Sequence, residues 1–453
     1  MFDLIVKNGL IVIPGFGVMR GDVGIRHAKI AALGELTDSG SVTVDAAGDY
    51  VLPGIIDPHV HLRVTSESLE QVQSDTQAAL VSGITTIGVY LGSPWTGLPL
   101  DSSYALVVSD WIDKLGKASN VDFMIHLALF HRTQQQEIGD LIKTYGVTSF
   151  KVYMSGIPGL LDAVDDGFIL NTMTILAEHH GLLAIHAENE AIIAQATKKA
   201  RLQYPDGTLH EWATTRPPIA EEEALRRMAL LAQYSGCRTY LVHVSSARSV
   251  DALREIKYDN HFIIAETTSP YLSLPIDSPG GLKGKMVPPI RGDADALWAA
   301  IEAGTIDCVG TDNTSKLLSE KNLAGGLWGA TAGYPVLATH LPALLTAGTC
   351  QRDIAIERII DVATRRPAQS FGIYPQKGTL LPGSDADIVI VNLTHPRMVS
   401  PKDWLSYTDW SPYEGIPLSG WPRVTIKGGK IVACDGRIVG QPSGQYLSRL
   451  PCY

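Results

Sequence analysis

Short apolar runs recur through the middle of the chain, separated by more polar stretches whose apolar residues return at helical spacing. The runs are Val51 to Ile56, Ile84 to Tyr90, Val121 to Leu129, Ser149 to Tyr153, Leu182 to His186, Tyr240 to His243, His261 to Glu266 and Cys308 to Asp312. β-Branched residues stiffen an extended backbone, so each run predicts a short buried strand. Gly167 to Gly181 and Glu221 to Ser235 predict helices between them. Strands alternating with helices in this way predict an α/β fold, a parallel sheet with crossovers closed as a (β/α)8 TIM-like barrel. The two chain ends lack the alternation. Leu4 to Val12 holds two apolar runs around Asn8-Gly9, and Val424 to Val432 holds two around Gly428-Gly429. Each predicts a hairpin, and Ala386 to Asn392 adds a strand. Residues 1–52 and 377–453 are therefore expected to form one small β-sandwich domain, with a barrel of residues 53–376 inserted between them.

Polar groups fall where the barrel strands meet their loops. Asp57-Pro58-His59-Val60-His61 puts two imidazoles on the same side of a strand, able to grip one ion. Alone, such a pair is as readily a surface accident as a metal site. Lys151, His186, His243 and Asp312 come at the ends of four later strands, however, and in a barrel all such ends open on one mouth. A lone histidine at a strand end is more often a hydrogen-bonded core residue, but that account fits poorly when candidates recur in strand order. Lys151 has the sharpest chemical implication. Its ammonium ends an apolar strand without an acidic neighbour in sequence, so burial should lower its pKa and leave a neutral amine. A neutral lysine beside cations reacts with carbon dioxide to give a carbamate, an anionic ligand that can bridge two metals where arginine could not serve. Four histidines, one aspartate and one carbamate suit two divalent ions such as zinc. Ions bridged in this way sit about 3.5–4 Å apart and share a hydroxide. Asp312 could take that hydroxide's proton and deliver it to a leaving nitrogen, which is metal-assisted hydrolysis of an amide.

In these residues the chain resembles the amidohydrolase superfamily, and within it the hydantoinases, dihydropyrimidinases, allantoinases and dihydroorotases, over nearly its whole length. The resemblance implies that Asp57 to His61 supplies the D-x-H-x-H of the more buried metal and that Lys151 is carboxylated and bridging. It further implies that His186 and His243 bind the second metal, and that Asp312 is both ligand and general acid/base. A composite β domain and a homotetramer or homodimer follow from it as well. Ser155-Gly156-Ile157-Pro158-Gly159, His186-Ala187-Glu188-Asn189-Glu190 and Gly372 to Gly378 resemble bacterial L-hydantoinase-type enzymes. The expected reaction is the opening of a cyclic amide, a hydantoin or dihydropyrimidine-like ring, by attack of the bridging hydroxide.

Several positions depart from the pattern. D-hydantoinases and dihydropyrimidinases carry a tyrosine where Gly156 stands, so help for the oxyanion must come from the metals or elsewhere. Lys285 to Arg291 matches the family's substrate loop, with Val287 in place of serine or asparagine; a backbone contact survives that exchange and a side-chain contact does not. Asn313 rather than histidine follows Asp312, and Gly325 to Leu345 contains no asparagine. Arg63 occupies the H-x-H-x-R position at which dihydroorotases hold a carboxylate, whereas Gly92 and Val287 replace their accompanying asparagines. Arg63 therefore reads either as a contact to a ring with a polar or anionic arm, or as an exposed residue paired with Glu67 or Glu70. Trp95, in the loop Gly92 to Gly97, is a candidate substrate contact. His126, His131 and His179-His180 are expected to be structural.

Composition narrows the alternatives. A chain of 453 residues exceeds one ordinary core. The net charge of −10 argues against a nucleic-acid partner. No apolar stretch approaches the roughly 18 residues of a membrane span and no leader-like segment opens the chain, so a soluble cytoplasmic protein without a membrane partner is expected. Cys237, Cys308, Cys350, Cys434 and Cys452 are scattered and lack C-x-x-C spacing, which suits buried thiols in a reducing compartment. Three other readings stand beside the hydantoinase-like one. They are an allantoinase- or dihydroorotase-like hydrolase of a polar ring, a non-catalytic dihydropyrimidinase-related scaffold, and a mononuclear deaminase, which would not require Lys151.

Overall fold

Ile55–His61, Ile84–Leu91, Asp122–Ala128, Ser149–Tyr153, Leu182–His186, Arg238–Leu241, Ile263–Thr268 and Cys308–Gly310 pair in that order, all in parallel, within one sheet. The structure is a computed structural model and describes residues 1–157, 160–277, 280–403 and 406–450. Pro158 and Gly159 of the motif after Lys151, and Cys452, lie outside the described residues. The strands are buried almost throughout, as strands covered on both faces must be. The sheet curls round as a TIM-like barrel: Asn313–Thr314, just beyond the last strand, pairs in parallel with Val60 and His61 of the first. The run Cys308 to Asp312 thus stops as a strand at Gly310. Thr311 turns inward there, its N–H and hydroxyl donating to Asp57 at 3.0 and 2.6 Å.

Both predicted helical segments are helices, Asp166–Glu178 and Pro218–Ser235. The Asp165 side chain caps the first by accepting the Phe168 N–H at 2.7 Å, and Gly236 ends the second in the left-handed conformation. Within the described residues no helix is long and apolar enough to cross a membrane.

A second nine-stranded sheet joins the two chain ends, with Ile388–Val391 lying antiparallel between Tyr50–Pro53 and Pro422–Lys427. Leu4, Val6, Ile11, Val23, Ile388, Ile390 and Ile426 belong to an apolar cluster of its own. Lys377 lies where this sheet meets the barrel. Its buried ammonium donates to Asp122 at 2.6 Å and Asp387 at 2.7 Å, with Asp385 at 3.0 Å.

The hairpin expected at Asn8-Gly9 does not form. Phe2–Ile13 is one strand whose register against Gly17–Arg26 slips between Val6 and Gly9. Asn8 is held at φ 59° by its N–H to Asp22 and its amide to Asp45, both at 3.0 Å. Long-range pairing has absorbed a turn-forming dipeptide as a bulge. Pro422–Lys427 and Lys430–Cys434 do form the second hairpin, turning at Gly428-Gly429.

Candidate metal centre

The first strand delivers His59 and His61 to the mouth with Asp57 beneath them. Asp57 accepts the N–H groups of His59 and Thr311, so it braces the strand end from below. A close contact keeps this floor tight: a Cβ on Gly88 would fall 2.3 Å from His126 Nε2 and 2.6 Å from the Pro58 carbonyl oxygen, room that only glycine leaves. His59 Nδ1 meets Glu266 Oε1 at 2.7 Å, and its Nε2 faces Asp312 Oδ1 at 3.3 Å; His61 Nε2 lies 3.1 Å from that same oxygen. One ligand atom from each of His59, His61 and Asp312 falls within 4.8 Å of the others.

The fifth and sixth strands bring up a second group. His186 Nδ1 and His243 Nε2 face each other at 2.9 Å, and the His243 ring stacks 5.7 Å from that of His59. Asp312 and His243 both adopt positive φ, 54° and 42°. Such backbone costs about 1–3 kcal/mol per residue and concentrates at functional sites.

Lys151 rises from the fourth strand, Ser149–Tyr153. Its side chain is fully buried, and among the described residues its Nζ has no hydrogen-bond partner, resting 4.9 Å above the Tyr90 ring and 5.2 Å from that of Tyr153. Burial lowers the amine to about 7, against the pull of Asp312 and Glu266. The same burial drives His59, His186 and His243 below their ordinary value, towards the neutral form that metal binding requires. Asp312 stays below the usual carboxylate range because His59 and His61 outweigh its burial. Asp57 and Glu266 go the other way, burial raising them to about 7 and about 8.

These side chains fit a pair of divalent cations. Among the described residues, His59 Nε2 and Lys151 Nζ are buried polar atoms without hydrogen-bond partners, a costly state that a ligated cation and a carbamate would each relieve. Neutral imidazoles with a carboxylate are the donor set of zinc and its neighbours.

The other candidates divide. Trp95 lies at the mouth, its ring 5.7 Å from His61, 6.0 Å from Phe130 and 5.9 Å from Tyr153. Val287 is half-buried, and the carbonyls flanking it are occupied: Trp212 donates to Met286 and Tyr271 to Pro288. Among the described hydrogen bonds, none uses the main chain of Val287 itself. Arg63 points outward, 57% exposed. Its partner is Glu320 at 3.7 Å, from the turn Leu318–Lys321, rather than Glu67 or Glu70. At Gly156 only an N–H is on offer, and it donates to Glu190 at 2.8 Å. His126 packs between Tyr90 and Phe371 with its Nδ1 2.5 Å from Ser149 Oγ, and His131 caps the helix Arg132–Gln136.

Three residues with parts in the site had no assigned role in the sequence. Glu266 holds His59 and also accepts the Tyr240 hydroxyl at 2.9 Å. Glu188 accepts from His186 Nε2 at 2.8 Å and is paired with Arg216. Burial would raise Glu188, but Arg216 and His186 hold it at about 2. The signal for Glu266 was an acid closing an otherwise apolar strand; for Glu188 it was an acid two residues past a ligand candidate. Nothing in the spacing marks Arg216.

Comparison with known proteins gives the chain a family. Residues 159–432 match the family described as the amidohydrolase family. An L-hydantoinase of Paenarthrobacter aurescens is 32% identical over 99% of this chain and 98% of its own, and a D-hydantoinase of Geobacillus stearothermophilus is 32% identical over 98% and 96%. The solved structure of an L-hydantoinase (dihydropyrimidinase) from Arthrobacter aurescens superposes with a TM-score of 0.90 at 31% identity, covering 98% of this chain and 99% of that one. The chain belongs to the amidohydrolase family, and its full-length likeness is to hydantoinases. Relatives of both hands match it at the same identity, so overall similarity does not choose an enantiomer.

Proposed function

We propose that this protein hydrolyses the C–N bond of a cyclic amide, a hydantoin or a dihydropyrimidine-like ring, at a binuclear metal centre. The observation that carries the reading is Lys151: a buried amine with no hydrogen-bond partner among the described residues, close enough to His59, Asp312, His186 and His243 for its charge to be felt at each. His59, His61, His186, His243 and Asp312 would hold two divalent ions, zinc in this reading, with Lys151 carboxylated between them. When bound, such ions polarise a ring carbonyl and make water nucleophilic at neutral pH.

The remaining work belongs to the chain. Asp312 takes the proton of the attacking water and passes it to the ring nitrogen as the C–N bond breaks, leaving a carboxylate and a freed N–H group. Glu266 and Glu188 keep the rings of His59 and His186 from turning. The main-chain groups of Val287 hold the ring's polar edge, so the missing side-chain donor costs nothing there. Trp95, with Phe130 and Tyr153, encloses the exocyclic arm in an aromatic wall, which suits an apolar 5-substituent better than a charged one. The outward guanidinium of Arg63 supports the same preference over dihydroorotate or allantoin. The apolar cluster that draws on both chain ends supports a β-sandwich domain of residues 1–52 and 377–453 around a barrel of residues 53–376. Exposed Leu230, Tyr234 and Tyr258 suit a homotetramer or homodimer, and the free cysteines among the described residues suit the cytoplasm.

A substrate panel tests the reading: 5-substituted hydantoins of both hands, dihydrouracil, allantoin, dihydroorotate and a cyclic imide. Ring opening is expected with the arylated or alkylated hydantoins foremost. Turnover of none by the zinc-loaded protein would favour the non-catalytic scaffold.

A further inference from the structure

Behind His186 and His243 lies a buried charged chain that the hydrolysis above does not use in full. The residue two positions beyond each histidine faces it. Glu188 accepts from His186 Nε2 at 2.8 Å and pairs with Arg216, while the Ser245 hydroxyl accepts from Arg291 Nε at 3.0 Å. Arg291 also donates to the Arg216 carbonyl, which joins the two arms. Glu221 completes the group, accepting the Ser245 N–H and the Ser249 hydroxyl, both at 2.8 Å. Two buried carboxylates thus lie beside the buried Arg216 and the half-buried Arg291. Buried ion groups seldom add net stability over a well-packed apolar core, so their presence here asks for a purpose.

The geometry supplies one. His186 Nδ1 and His243 Nε2 look at each other across 2.9 Å, and the other nitrogen of His186 is committed to Glu188. A carboxylate on Nε2 fixes the proton there and leaves the Nδ1 lone pair facing inward. Arg216 pairs with that acceptor from the other side, and Arg291, which ends the segment Lys285 to Arg291, links the arrangement to the loop carrying Val287.

We propose that Glu188, Arg216 and Arg291 are positioning residues that preset His186 and His243 for the second of two ions and tie that pair to the Val287 segment. The inference rests on the two-ion reading. Its test is zinc retention: wild type, Arg216→Met, Arg216→Lys and the double variant Arg216→Met/Glu188→Gln are loaded with zinc and bicarbonate, and zinc per chain is followed against rising chelator. Wild type should hold two ions. Arg216→Met should release one of them at about 10- to 100-fold lower chelator, the usual effect of losing such a partner, and keep the other as wild type does. Arg216→Lys should recover most of the loss. The double variant leaves no lone buried carboxylate, so it should fold where the single one does not, and should lose the same ion. Release of both ions together, or of neither, would overturn the positioning role. A wild type that never holds two ions would instead overturn the two-ion reading, and this inference with it.

Discussion

Two buried lysines show how differently one residue type can be used. Lys377, where the barrel meets the terminal sheet, is surrounded by Asp122, Asp385 and Asp387, all within 3.0 Å. Burial alone would lower its pKa, but the three carboxylates win and hold it well above its ordinary value. Lys151 is as deeply buried and, among the described residues, has no acid in hydrogen-bonding contact, so burial wins and the amine drops to about 7. One lysine is a charge satisfied by its surroundings and serves cohesion. The other is an amine whose surroundings leave its chemistry unfinished, and that difference separates a structural joint from a reactive centre.

Substitutions should sharpen the contrast. Lys151→Ala should cut ring opening by about 10³-fold or more, since the proposed bridge between the metal groups disappears, while thermal unfolding stays close to wild type. A large drop in melting temperature would mean that Lys151 is structural after all. Asp312→Asn should lower kcat by about 10²–10⁴-fold, the range for losing a general acid/base, with the fold preserved in circular dichroism. Lys377→Met should do the reverse, costing about 3–5 kcal/mol in urea unfolding because three carboxylates lose their counter-ion, with kcat of the folded fraction unchanged.

The same joint has a pH signature. Asp385 is held below its ordinary 3.8, its burial outweighed by Lys377. A carboxylate lowered on folding stabilises the protein above its unfolded pKa and loses that contribution as pH falls through the folded value. The stability that Lys377 gains in turn is fully present below 10.5 and is lost only in strong alkali. Acid unfolding should therefore begin below about pH 4 and be less steep in Lys377→Met than in wild type. Smaller effects lie at the mouth. Trp95→Ala should reduce kcat/KM for a 5-aryl hydantoin by about 10- to 100-fold and leave dihydrouracil nearly unaffected. Arg63→Gln should change KM by less than about fivefold, the scale of one exposed ion pair.

The contrast also explains what the sequence makes legible. The strand series is readable because strands buried on both faces are mostly apolar, and charged or imidazole side chains on them or just beyond them then stand out, as His59, His61, Lys151, His186, His243 and Asp312 do. Asn8-Gly9 is misread because the same dipeptide serves a hairpin or a bulge, and the choice lies with Asp22 and Asp45 far along the chain. Glu320 reaches Arg63 from a loop past the last strand, and Arg216 reaches Glu188 from the end of a helix. Such partners are set by how loops fold over the mouth, and no local spacing encodes them.

The most direct test of the account is the zinc content of wild type and Lys151→Ala after reconstitution with zinc and bicarbonate. Close to two ions per wild-type chain and a clear shortfall in the variant are predicted. No zinc in the wild type, or two ions held as firmly without Lys151, would contradict it.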